Sequence, residues 1–220
     1  MIEHLVWDSA FFGFPIARIH GSVSARTLVE LREAGFVCAY HTAIDADHLL
    51  LSSLGFAHVD TRLDFVALTS NVVSQYRVAG AGDADELIKW SRGTFLDSRF
   101  YADEKFDRTK VDELFQLWVQ NSFGELADAV LVPINSLDAF VTVNLESADV
   151  ARIGLIGVAE HARGQGLGRS MVRAALSWAN GTGAKRLFVA TQERNNAARS
   201  LYESVGFTLA SRSETFHWWA

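Results

Sequence analysis

The sequence predicts a mixed α/β protein in two subdomains, residues 1–75 and 76–220. Strand-like and helix-like periodicities alternate along the chain, and three strand-like runs follow one another in its middle, at 128–134, 138–146 and 150–159. There is also an internal repeat without gaps. Shifted by 151 positions, 36–42 (FVCAYHT) falls on 187–193 (LFVATQE), and 45–56 falls on 196–207 with both Gly-Phe pairs in register. Two ordinary β-α-β patterns can coincide in this way by chance. A duplicated half-fold accounts for the same letters, its first copy having FGFPIA (12–17) for a ligand loop and Leu51 at the place of Tyr202. On that reading 1–75 is scaffold and part of a cleft wall.

In the first subdomain, 26–35 (RTLVELREAG) has helical spacing and closes on Gly35, a usual helix stop. The apolar run 36–43 suits a buried strand, and Asp45 is placed to cap a helix over 46–54 that ends at Gly55. Residues 57–68 alternate as one long strand or a hairpin. Across 70–76 (SNVVSQY) the pattern weakens, which sets the boundary. In the second subdomain Asp83 or Asp85 starts a helix bearing Leu87, Ile88 and Trp90, and 95–108 reads as irregular. An amphipathic helix follows over 110–123, with Val111, Leu114, Phe115, Trp118 and Val119 on one face. After the three strands come a helix over 169–181, a strand over 185–192, a helix over 195–206 and a closing hairpin over 207–219.

Composition narrows the function classes. Apolar residues make up 49% and charged residues 21%, ordinary values for a packed globular chain, and only Pro15 and Pro133 interrupt it. A net charge of −6 without a basic stripe argues against a nucleic-acid surface. The N-terminal segment lacks the basic and apolar regions of a signal peptide, and no run approaches the ~18 apolar residues of a membrane span, so a cytoplasmic protein is expected. Cys38, the one cysteine, lies in an apolar run and reads as a buried core thiol; neither a disulfide nor a metal site is expected.

Residues 153–172 (IGLIGVAEHARGQGLGRSMV) carry the chemistry. An apolar strand ends at Val158, and Arg163-Gly164-Gln165-Gly166-Leu167-Gly168 opens a helix. Glycines there let backbone N–H groups converge and a ligand approach closely. The unpaired N–H groups of the helix start and the positive end of its dipole make a site for phosphate oxygens. No Gly-Lys-Ser/Thr follows, so this is not a P-loop, and the glycine spacing does not fit a dinucleotide fingerprint. A purely structural turn would use the same glycines; the strand before and the helix after favour the phosphate site.

Arg163-x-x-Gly166-x-Gly168 resembles the pyrophosphate-binding signature R/Q-x-x-G-x-G/A of the GNAT acetyltransferases. Asn195-x-x-Ala198-x-x-Leu201-Tyr202-x-x-x-Gly206-Phe207 is similar to the following helix of that family, and Ile153–Val158 to the strand whose backbone pairs with the pantetheine arm. Glu160 departs from a common proline, exchanging one turn residue for another. The resemblance implies a GNAT fold, a mixed and mostly antiparallel sheet flanked by helices; taken with the internal repeat, residues 1–75 are then a degenerate half of the same kind. It implies acetyl-CoA as donor, with Gly157, Val158, Arg163, Gly164, Gln165, Gly166, Leu167, Gly168, Asn195 and Ala198 as cofactor-binding residues. Tyr202 would stand by the sulfur, where a phenol of pKa ~10 can hand a proton to the leaving thiolate; a core tyrosine late in a helix fits as well. A backbone N–H around Gly157–Val158 would face the developing oxyanion. Asp97, Glu160, Glu193 and His217 are the candidate bases, and none is singled out.

For the acceptor, 5–13 (LVWDSAFFG), Ser98-Arg99-Phe100, 151–155, 189–192 and Trp218 resemble nucleotide-sugar N-acetyltransferases. This implies acetylation of the 4-amino group of a dTDP-linked 4-amino-4,6-dideoxy sugar. Arg99 with Phe100 and Tyr101 would offer a cation and a stacking surface to the nucleotide's phosphates and base, although a surface arginine beside two core aromatics explains the same letters. Trp7, Phe11 and Phe12 read as core. Trp218 and Trp219 occupy alternate faces of a terminal strand, so both are covered only if a helix or a second subunit lies over one, which points to a homodimer. Another small amine or a protein N-terminus as acceptor, and a non-catalytic acetyl-CoA-binding module, are the alternatives; retention of Tyr202 with the glycine loop weighs against the module.

Overall fold

A computed structural model describes residues 1–70, 72 and 74–220. The weak stretch 70–76 thus lies partly outside the described residues, at Asn71 and Val73. Contact density divides the chain into Met1–Arg62 with Arg212–Ala220, and Leu63–Ser211.

In the first unit β1 (Ile2–His4), β2 (Ile16–Ile19), β3 (Cys38–Ala43) and the end of β10 (Thr208–Trp219) lie in the order β1-β2-β3-β10. β2 and β3 run parallel, while β1–β2 and β3–β10 are antiparallel. The helices are α1 (Val6–Phe12), α2 (Ala25–Glu33) and α3 (His48–Ser53). Apolar burial holds them together, through Leu31 and Leu51 from the helices and Ala39, Phe216 and Trp218 from the strands. Ser24 caps α2 in a reciprocal pair with Thr27. Cys38 is fully buried, as its apolar neighbours imply.

Several expectations change here. Asp47, not Asp45, caps α3, accepting from the Leu50 N–H at 2.9 Å. α1, β1 and β2 carry too few residues for a periodic signal and were not foreseen. Of the N-terminal aromatics Phe12 is buried, but Trp7 is 46% exposed and stacks on Phe11 with ring centroids 5.4 Å apart. A seven-residue helix has one inward face, and Phe12 takes it. Trp218 is buried, and Phe14 lies 5.4 Å from the half-buried Trp219, so cover for the second indole comes in part from the same chain.

In the second unit the order is the end of β4 (Phe56–Leu68), β9 (Arg186–Gln192), β8 (Val150–Val158), β7 (Ala139–Ser147), β6 (Ala129–Pro133) and β5 (Tyr76–Val78). β5 to β8 form an antiparallel meander, whereas β8 and β9 are parallel because α7 (Leu167–Gly181) crosses between them. β7 alternates between two cores. Val141 and Val143 pack with Met171 and Val172 of α7, while Phe140 packs with Leu87 of α4 (Ala84–Ser91) and Val119 of α6 (Arg108–Asn121). Helices therefore cover both faces, as a sheet buried on both sides requires. The one-turn α5 (Arg99–Ala102) sits within the stretch read as irregular, and α8 (Asn196–Ser204) precedes β10. Residues 56–68 form one long strand, and 208–219 form one strand in place of the expected closing hairpin.

The two repeat segments have the same element succession, β3-α3-β4 and β9-α8-β10. Gly55 and Gly206, in register, end their helices with φ of +82° and +95°, a region only glycine enters freely.

Candidate active site

The glycine-rich loop leaves a row of backbone N–H donors open at the start of α7. Gly164 and Gly166 take φ of +77° and +83°, and Gly166 caps α7 with no side chain in the way. Gly168 serves another need: a Cβ there would lie 3.2 Å from Leu201 Cδ2, so its absence lets α7 approach α8. Among the described residues the backbone N–H groups of 164–169 find no acceptor in the protein, the next pairing being Ser170 N–H to Gly166 O. Gly164, Gly166 and Arg169 are exposed, so this array and the positive end of the α7 dipole face solvent, an arrangement that suits phosphate oxygens. Arg163 bends back, its Nε donating to Val158 O at 3.3 Å, and Gln165 Nε2 donates to His161 O at 3.3 Å. Both side chains thus brace the loop, and Leu167 begins the helix, packed on the core below.

The strand leading into the loop has an open edge. β8 pairs with β9 from Val150↔Arg186 to Ile153↔Val189. Beyond that both strands continue, to Val158 and Gln192, with no partner in each other among the described residues. Ala159 N–H donates to Asp138 O at 2.7 Å in register with the β7–β8 ladder. By antiparallel alternation Gly157 also turns its amide toward β7, while Ile156 and Val158 turn theirs to the open side. Of the pair Gly157–Val158 expected to face the oxyanion, Val158 therefore presents its backbone to the opening; Ile156, expected only as part of the strand Ile153–Val158, does the same. Gly157 has a steric reason to be glycine, since a Cβ would lie 3.0 Å from Phe140 and 3.2 Å from the Trp90 ring. Trp90 is held by its Nε1–H donating to Leu137 O at 2.8 Å.

Tyr202 lies on α8, buried with its ring 5.9 Å from both Phe65 and Phe207. Burial pushes its phenol above the ordinary value near 10, so it stays protonated at neutral pH. Asn195 caps α8 through its side-chain oxygen, which accepts from the Ala198 N–H at 2.9 Å; that contact occupies the Ala198 amide. Arg199 ties down the same turn, donating to Glu193 O at 3.1 Å.

The remaining expected residues lie elsewhere. Phe100 is 3% exposed, edge-on to Phe106 at 5.3 Å, and the Arg99 guanidinium lies 4.7 Å over its ring. Phe100 is thus core that seats Arg99 and has no open face for a base to stack on. Its neighbour Tyr101 is fastened by its hydroxyl to Asp112, which also accepts from Gly93 N–H at 3.2 Å and Arg92 Nε at 3.3 Å. Of the candidate bases, His217 is buried in the first unit against Tyr40, with ring centroids 4.6 Å apart. Glu160 and Glu193 are exposed and Asp97 is half-buried. Among the described residues no group of three or more His, Cys, Asp or Glu is placed to hold a metal ion, and no helix is long and apolar enough to cross a membrane.

The model of the acetyltransferase (GNAT) family matches residues 85–207. The chain is 30% identical to the dTDP-fucosamine acetyltransferase of Escherichia coli, over 99% of this chain and 96% of that one. It is 24% identical to a spore coat polysaccharide biosynthesis protein of Bacillus subtilis, over 63% of this chain and 48% of that one. Among solved structures, a GCN5-related N-acetyltransferase from Sphaerobacter thermophilus superposes with a TM-score of 0.65 at 13% identity, covering 98% of this chain and 75% of that one.

Proposed function

The chain belongs to the GNAT acetyltransferase family, and from that premise we propose that it moves acetyl from acetyl-CoA to the 4-amino group of a dTDP-linked 4-amino-4,6-dideoxy sugar. The open edge of β8 running directly into the unpaired N–H array of 164–169 carries the donor half of this reading. That array suits the pyrophosphate, and the edge at Ile156 and Val158 suits an extended amide-bearing arm. Near-complete coverage at 30% identity by the dTDP-fucosamine acetyltransferase supports the acceptor half. Residues 76–220 would form the acetyltransferase domain and 1–75 its scaffold, with the cytoplasm as the compartment.

The donor supplies a thioester carbonyl. An amide on the open edge, from Ile156 or Val158, stabilises charge on its oxygen. Tyr202 gives its phenolic proton to the sulfur as the C–S bond breaks and the C–N bond forms, and water takes the proton of the attacking amine. Gly157, Arg163, Gln165, Leu167, Gly168, Asn195 and Ala198 shape the site by packing and capping, while Arg99 is the proposed cation for the nucleotide phosphates.

A thiol-release assay with acetyl-CoA tests this reading, with dTDP-4-amino-4,6-dideoxy sugars set against aminoglycosides and amino acids. Turnover confined to the sugar nucleotides is expected. Turnover only with a control amine overturns the acceptor, and silence throughout with acetyl-CoA still bound moves the reading to a binding module.

A further inference from the structure

The phase of β8 changes just where its edge opens. Val141 pairs with Ile156 and Val143 with Ile153, so Thr142 alone faces both Gly154 and Leu155. This is a bulge, and it explains how Ile153, Ile156 and Val158 all pack on one core despite the odd step from 153 to 156. The amide that the bulge removes from the ladder, Leu155 N–H, donates to the Thr142 hydroxyl at 2.7 Å. Thr142 is 2% exposed. A Cβ on Gly154 would come within 2.8 Å of the same oxygen, so hydroxyl and glycine fit against each other. Pairing to β9 ends at Ile153, the residue before the bulge.

We propose that Thr142 is a positioning residue whose hydroxyl holds this bulge in register and thereby aims the Ile156 and Val158 amides at the acyl donor. A strand slipped by one residue reverses the direction of every group beyond the slip. Without the hydroxyl, the part-buried Leu155 N–H loses the acceptor that the bulge gives it, which favours a ladder lacking the bulge. The proposal rests on the reading of the open edge as the donor slot.

The test compares Thr142→Val, Thr142→Ser and Gly154→Ala in the full chain. Calorimetric titration is run with acetyl-CoA and with adenosine 3′,5′-bisphosphate, which reaches only the loop, and thiol release gives turnover. Thr142→Val should weaken acetyl-CoA binding and lower kcat by roughly tenfold each, leave bisphosphate affinity within about twofold, and be restored by Thr142→Ser. Gly154→Ala, which crowds the hydroxyl, should reproduce the selective loss even if the valine variant folds poorly. Unchanged acetyl-CoA binding and turnover, or an equal loss of both ligands, overturns the role of Thr142. Failure of the wild-type chain to bind acetyl-CoA overturns the donor-slot reading itself, and the proposal with it.

Discussion

Gly157 and Trp90 are in contact, so that a methyl group on Gly157 would lie 3.2 Å from the indole and 3.0 Å from Phe140. The close approach fixes the end of α4 beside the open edge of β8. Gly157→Ala should therefore cost about 1–3 kcal/mol of stability, as overpacking does. Denaturant unfolding measures the loss, and the indole N–H resonance of Trp90, assigned among the six tryptophans with a Trp90→Phe control, shows whether the ring has moved. Full stability with an unshifted Trp90 resonance would contradict the tight contact.

Tyr202→Phe removes only the hydroxyl from a ring held between Phe65 and Phe207. Stability and acetyl-CoA affinity should change little, while kcat falls by roughly a hundredfold, the scale of a lost general acid. Because burial holds the phenol above its ordinary range, the wild-type rate should show no alkaline fall from Tyr202 below about pH 10. An unchanged rate in the variant removes Tyr202 from catalysis.

Gly166→Asp places a carboxylate at the N-terminus of α7, where its charge suits the helix dipole but opposes a phosphate, and it strains a backbone held at φ +83°. Acetyl-CoA binding should weaken by roughly a hundredfold or more, about 2.7 kcal/mol, in a chain that still folds. Calorimetry beside thermal unfolding separates the two effects; retained binding would refute the loop assignment.

Asp83 accepts two bonds from Arg77, at 2.7 and 2.9 Å, and one from Gly80 N–H at 2.8 Å. The Arg77 bonds first, then the Gly80 amide, hold its carboxyl down at about 2. A depressed carboxyl stabilises the fold above its unfolded value near 4 and loses that contribution as pH falls through about 2. Asp83→Asn should lower Tm at neutral pH and make the decline of Tm between about pH 4 and 2 shallower. Parallel wild-type and variant curves of Tm against pH would show that the pair adds nothing.

The glycine loop and the helix it opens were legible because their signals are local. A glycine run and a helix start depend on neighbours in sequence, so Gly164 and Gly166 stand out before any folding, whereas Asn195 and Tyr202 are named by resemblance to the family's following helix. The long helices over Arg108–Asn121 and Leu167–Gly181 were legible for the same reason, since an amphipathic stripe repeats several times within each. Short elements such as α1 and β2 repeat nothing and left no mark.

By itself the sequence determined the α/β class, the family and the glycine loop that opens α7. Only the tertiary structure decided that Ile156 joins Val158 on the open edge, that the Thr142 hydroxyl accepts from Leu155 N–H at the bulge, that Phe100 is core and that 208–219 is one strand. Each of those facts depends on which distant strand pairs with which and in what register, and on what covers a side chain. Hydrophobic pattern constrains such pairings only in sum, so they become definite when the whole sheet is assembled.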